Sequence, residues 1–241
     1  FHPINQKKAR SILNWNLEEK IILFNGHKSN PIKNYALAEK AINLCKKNIK
    51  IVEMKNLLKI KKIQVVPNGV SFDTFYPINQ KKARSDLNWN LEDKIILFNG
   101  HKSNPIKNYP LAEKAVNLCK NNITIVEMKN LDQKKLNLYY NACDIFLSTS
   151  LWEGSPNTIK EAMACNANII STNVGDVNYL FGKEKYNRIC TFDPLEISTA
   201  ITNTLSVKKE NNKGRERLIH LSLQGTDVAQ KIIKLYHTIL A

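Results

Sequence analysis

A chain of 241 residues has room for one sizeable α/β domain and an addition, but not for two complete Rossmann-like domains. With 43% hydrophobic and 24% charged residues and a mean hydropathy of −0.35, it has the balance of a soluble, cored protein, and no apolar run approaches the roughly 20 residues of a membrane-spanning helix. The formal charge of +15 raises the question of nucleic acid, but the lysines are spread along the chain among abundant Asn and Ile; nucleic acid is disfavoured as a partner against an anionic membrane surface or an anionic small ligand.

Cys45, Cys119, Cys143, Cys165 and Cys190 form no Cys-x-x-Cys pair, which indicates neither a zinc site nor a disulfide framework and fits a reducing cytoplasm. The chain opens at Phe1 inside a repeat, so an upstream portion is expected. Phe1–Leu57 recurs at Phe75–Leu131 with roughly 50 of 57 positions identical. Stacked solenoid units are shorter and more diverged, so near-identity over one long unit reads as a recent tandem duplication. Only the second copy runs on into new sequence. Residues 1–64 are therefore read as a partial duplicate plus linker, and 65–241 as the complete domain.

In chain order, the first copy predicts a strand at Ile21–Phe24, a helix at Asn34–Cys45 and a strand at Ile49–Met54. One βαβ unit cannot cover both its faces. It is expected to pack on the main domain, to pair with another chain as in a homodimer, or to stay marginally ordered. After the lead-in IQVVPNG, a buried strand is expected at Ile95–Gly100 and a helix at Asn108–Cys119 with Leu111, Ala115 and Leu118 on one side. ITIVEM, DIFLSTS, NIISTN and RICTF read as four further strands, with helices around Lys134–Ala142, Pro156–Asn166 and Val228–Leu240. This succession predicts an α/β fold, a Rossmann-like doubly wound parallel sheet whose ligand binds beyond the carboxyl ends of its strands.

The stretch Ser148–Val177, STSLWEGSPNTIKEAMACNANIISTNVGDV, carries the most chemistry. Ser155 reads as a helix cap and Pro156 as the first helical residue, which aims free N–H groups near Asn157 and Thr158 at an anion such as a diphosphate. Glu153 lies on the turn before that helix. Glu161 lies one turn beyond Asn157, off the apolar face made by Ile159, Ala162 and Met163. Two carboxylates framing a helix start suit a nucleotide-sugar, one accepting from sugar hydroxyls and the other from ribose. A surface helix with ordinary solvated glutamates has the same spacing, and spacing does not separate the two.

The segment resembles the Glu-x7-Glu signature of family 4 (group 1) retaining glycosyltransferases, of the form EGxxxxxxEAMAxGxPVI followed by a VG turn. Glu153, Gly154, Glu161, Ala162, Met163, Ala164 and the turn Asn173–Asp176 match it. VVPNGVSFDTFYP at Val65–Pro77, YYNACDIFLSTS and KGRERLIHLS at Lys213–Ser222 resemble the family's linker, pre-signature strand and closing segment, so the resemblance covers nearly all of Val65–Ala241. SPNTIKEAMACN and VGDV are similar to members acting in bacterial surface-polysaccharide assembly. The family implies the C-terminal, donor-binding half of a GT-B fold. It implies that Glu153 contacts the donor sugar and Glu161 the ribose, with the backbone N–H groups at Asn157 and Thr158 near the diphosphate and with Gly154 and Ser155 among the donor-binding residues.

Lys107 matches the family's phosphate-binding Lys, but His101 stands where an Arg is usual, so a second cationic contact is open between His101, Lys102 and none. Asn166 and Asn168 replace the usual Gly and Pro. His27 and Lys33 repeat His101 and Lys107, but nothing like Glu153 or Glu161 follows them, so the first copy is not expected to bind a donor. The implied reaction is retaining transfer of a sugar from a nucleoside diphosphate to an acceptor hydroxyl, without metal or cofactor, with Glu153 and Lys107 in catalytic roles. The acceptor would be a polysaccharide or lipid-linked molecule held by an N-terminal domain that these residues do not supply. Such a protein would be cytoplasmic, peripheral at the inner membrane face. A noncatalytic nucleotide-sugar-binding module, or an inactive remnant of the duplication, is the competing reading; base, sugar and acceptor stay open.

Overall fold

The computed structural model describes residues 10–11, 20–24, 49–53, 66–120, 122–129, 131–184, 186–206 and 212–240. The chain divides into two compact units, Phe1–Val65 and Val66–Ala241. In the first, β1 (Lys20–Phe24) and β2 (Ile49–Glu53) pair in parallel, Lys20 opposite Ile49 and Phe24 opposite Glu53. The helix expected at Asn34–Cys45 lies outside the described residues.

The second unit holds five parallel strands: β3 (Lys94–Phe98), β4 (Ile123–Glu127), β5 (Ile145–Ser148), β6 (Ile169–Thr172) and β7 (Arg188–Cys190), in the spatial order β4-β3-β5-β6-β7. Lys94 stands opposite Ile123 and Phe98 opposite Glu127, the register that the near-identical sequence takes in the first unit. Successive side chains alternate between two cores. Ile95, Leu97, Phe146 and Ile169 enter one; Ile96, Phe98, Ile145, Leu147 and Ile170 enter the other. Burial on both faces explains why these strands read as continuous apolar runs.

Eight helices flank the sheet among the described residues: α1 (Gln80–Asp86), α2 (Tyr109–Asn117), α3 (Leu136–Ala142), α4 (Asn157–Ala164), α5 (Val177–Phe181), α6 (Pro194–Leu205), α7 (Gly214–His220) and α8 (Gly225–Leu240). Residues of α3, α4, α5 and α7 complete the first core, and those of α2 and α6 the second. Each fully buried Ile, Leu or Phe contributes roughly 1.5–3 kcal/mol. At the sheet's opposite edge from the carboxyl ends, buried Arg84 joins α1 to the starts of β3 and β5. Its guanidinium donates to Asp144 Oδ2 at 2.9 Å and to the Leu91 and Asp93 carbonyls, while Ile95 N–H donates to the same Asp144 oxygen at 2.7 Å.

The helices α1, α5, α6 and α7 were not expected as such. Asn79 caps α1 by accepting from the N–H groups of Lys81 and Lys82, and Asp193 caps α6 by accepting from Leu195 N–H, with Pro194 in the first turn. The last helix begins at Gly225 rather than Val228, because Gly225 N–H donates to the Val70 carbonyl and docks the lead-in segment against that helix start.

Candidate functional site

β3, β5 and β6 run parallel, so their carboxyl ends open on one edge of the sheet. Beyond β3, Gly100 has a φ of +133°, and a Cβ there would lie 2.7 Å from Lys107 Cγ; glycine lets the lysine stem pass across the strand end. The Pro105–Lys107 turn that carries Lys107 is held by the segment after β5. Thr149 Oγ1 donates to the carbonyls of Lys107 at 2.9 Å and Asn108 at 3.0 Å, and Leu151 N–H donates to the Ile106 carbonyl at 2.8 Å. Lys107 Nζ then donates to Glu153 Oε1 at 2.6 Å, and the buried Ser150 hydroxyl donates to the same oxygen at 2.9 Å. Both bonds fall on Oε1.

After Glu153 the chain turns through exposed Gly154 into α4. Pro156 occupies the cap position in an extended conformation, so the helix starts one residue later than expected, and no side chain caps it. Ser155 does not cap it either: its hydroxyl donates to Asp176 Oδ2 at 2.6 Å. The first N–H groups of α4, around exposed Asn157 and half-buried Thr158, are thus left for an outside acceptor, and the helix dipole favours an anion there.

One turn into α4, Glu161 Oε2 accepts from Tyr140 Oη at 2.8 Å. Burial raises the Glu161 carboxyl above its ordinary value, opposed by the Tyr140 bond; burial, then the Glu161 charge, pushes the Tyr140 phenol well up. His101 lies on the loop after β3, hydrogen-bonded to Ser103 and with Nε2 3.6 Å from Glu127 Oε2. Glu127 also accepts from Lys102 N–H at 2.7 Å.

The structure therefore joins Lys107 to Glu153 and sets Glu153, Gly154, Ser155, Asn157, Thr158 and Glu161 on one turn-and-helix segment. His101 is engaged with Glu127 instead of with Lys107 or Glu153. Sequence reasoning missed Ser150, Tyr140, Lys160 and the role of Asp176. Ser150 carries a local signal, three residues before Glu153; Tyr140 and Asp176 lie 21 residues from their partners, and nothing local marks them. Among the described residues no group of three or more His, Cys, Asp and Glu is placed to hold a metal ion.

A parallel Rossmann-like sheet carrying a polar turn and a helix start at its carboxyl edge is the architecture of the GT-B glycosyltransferases. Residues 90–206 match the family model described as glycosyl transferases group 1. Among solved structures, the chain is similar to sucrose-phosphate synthase from Thermosynechococcus elongatus (TM-score 0.63, 16% identity), covering 91% of this chain and 58% of that one. HepE from Anabaena in complex with UDP-glucose matches with a TM-score of 0.64 at 14% identity over 96% of this chain and 74% of that chain. The C-terminal domain of a group 1 glycosyl transferase from Francisella tularensis matches with a TM-score of 0.53 at 18% identity, over 63% of this chain and 97% of that domain. The chain thus spans well under two thirds of the synthase's length. No curated protein sequence matches.

Proposed function

We propose that the second unit binds a nucleoside diphosphate sugar and serves an enzyme that transfers the sugar to an acceptor hydroxyl with retention, in bacterial surface-polysaccharide synthesis. The observation that carries this reading is the convergence of Lys107, Glu153 and the uncapped start of α4 at one strand edge. Lys107 and the α4 N–H groups would hold the diphosphate and stabilise the charge it gains as its bond to the sugar breaks and the bond to the acceptor oxygen forms. Glu153, with Oε2 open, would accept from sugar hydroxyls, and Glu161 from ribose hydroxyls. A structure of HepE contains UDP-glucose, which supports a donor of this class for a fold of this kind. The donor is a substrate, and the reading requires no cofactor.

Titration calorimetry with UDP and with GDP tests it. One of the two is expected to bind, with affinity reduced tenfold or more by Lys107→Ala and by Glu161→Ala. Absence of binding by both, or binding indifferent to both substitutions, would remove the proposal.

A further inference from the structure

Asp176, in the turn between β6 and α5, grips the turn that carries Glu153 by two separate bonds. Its Oδ2 accepts from the Ser155 hydroxyl at 2.6 Å, and its backbone N–H donates to the Gly154 carbonyl at 3.2 Å. Gly175 closes the contact. Its φ is +57°, and a Cβ there would lie 2.0 Å from the Gly154 carbonyl oxygen, so the two turns touch backbone to backbone. The outer side of Gly154 is open: a Cβ built there would meet nothing within 4 Å.

The grip is kept at a cost. Asp176 Oδ1 is buried without a hydrogen-bond partner, which destabilises a fold when nothing offsets it. Part of the offset is electrostatic. Lys160, on α4 and 0% exposed, donates to the Asn68 carbonyl at 2.9 Å, and the Asp176 charge favours its ammonium form against the lowering effect of burial. Lys107 and Ser150 hold the Glu153 side chain, and the half-satisfied Asp176 carboxylate has its use in fixing the backbone that follows it.

We propose that Asp176 is a positioning residue for the donor: through Ser155 and Gly154 it fixes the turn so that Glu153 meets the sugar while the start of α4 meets the diphosphate. This rests on the donor reading above. Displacements of about 1 Å at a reacting centre cost on the order of a hundredfold in rate, so a residue that fixes the backbone of this turn has leverage.

The test uses the full chain and five variants. Asp176→Ala removes the acceptor for Ser155, and Ser155→Ala removes the same bond while leaving the Asp176–Lys160 charges in place, which guards against a variant that fails to fold. Asp176→Asn retains an acceptor oxygen and serves as the conservative rescue. Hydrogen exchange of peptides spanning 153–158 is expected to quicken tenfold or more in both Ala variants, to stay near wild type in Asp176→Asn, and to be unchanged in β5 and β6. Affinities for UDP-glucose against UDP, and GDP-mannose against GDP, are then measured in Ser155→Ala, Glu153→Gln and the double variant. The sugar nucleotide should lose about tenfold in Ser155→Ala with the bare diphosphate little changed, and the double variant should lose no more than Glu153→Gln alone, as for residues acting through one another. Unchanged exchange, or losses that simply add, would overturn the role of Asp176 and leave the donor reading standing. Binding of none of the four ligands would overturn both.

Discussion

Glu153 and Lys107 lie 46 residues apart in sequence and share one hydrogen bond of 2.6 Å, so in the free protein each is the other's counter-charge. In the proposed donor complex a diphosphate would take Lys107, and a sugar would take Glu153. Glu153→Gln should therefore cost the sugar nucleotide about 1.5–3 kcal/mol, roughly ten- to a hundredfold in Kd, and the bare diphosphate much less; equal losses in calorimetry would contradict the assignment. Glu161 gives a pH signature. Its carboxyl, raised by burial, gains a proton at a higher pH than a free glutamate, whose value is 4.5, so nucleotide affinity should fall on acidification above that value. The same shift means that ionised Glu161 costs stability, a cost that sets in as pH rises from 4.5 through the raised folded value. Glu161→Gln should gain on the wild type across that window in denaturant unfolding and should flatten the acid limb of binding. The Glu-x7-Glu spacing made both carboxylates legible in the sequence. Their partners were not, since Tyr140 and Lys107 reach them only through the closed sheet.

At the scale of elements, the central strands β3, β5 and β6 were legible because they are buried on both faces and so read as largely apolar runs. The short helices were less so: α5 and α7 have too few turns to show a period, although Asp193–Pro194 before α6 is a start signal that the sequence carries openly. Asn166, at a φ of +53°, takes the left-handed turn after α4 where the family has Gly, and Arg215 N–H donates to its side chain at 2.8 Å. Two elements meet at Gly175, and Gly175→Ala would drive a methyl into the Gly154 carbonyl at a strained φ. We expect it to weaken sugar-nucleotide binding at least tenfold, with a loss of roughly 1–3 kcal/mol in stability; unaltered binding would show that the two turns do not act together. Arg84→Ala tests the other edge. It leaves the half-buried Asp144 carboxylate without its cation and removes the buried guanidinium, and should cost about 3 kcal/mol in urea unfolding while nucleotide affinity in the folded protein is retained.

For the whole molecule, the second unit contains every residue assigned to the donor, and deletion of 1–57 is expected to leave nucleotide affinity unchanged. A charge of +15 predicts that anions will bind weakly at many places, so location matters more than affinity. The strongest rival is a cleft of about 740 Å³ whose lining includes Lys183, Lys213, Arg217 and His220. Two of its cations are already engaged, Lys213 with Glu216 at 3.4 Å and Arg217 with the Leu180 and Tyr179 carbonyls. Hydrogen exchange with and without saturating UDP or GDP, whichever binds, separates the two directly. Slowed exchange at residues 153–158, together with the 105–108 turn, is the predicted result; protection confined to 182–184 and 213–220 would contradict a donor site at the start of α4.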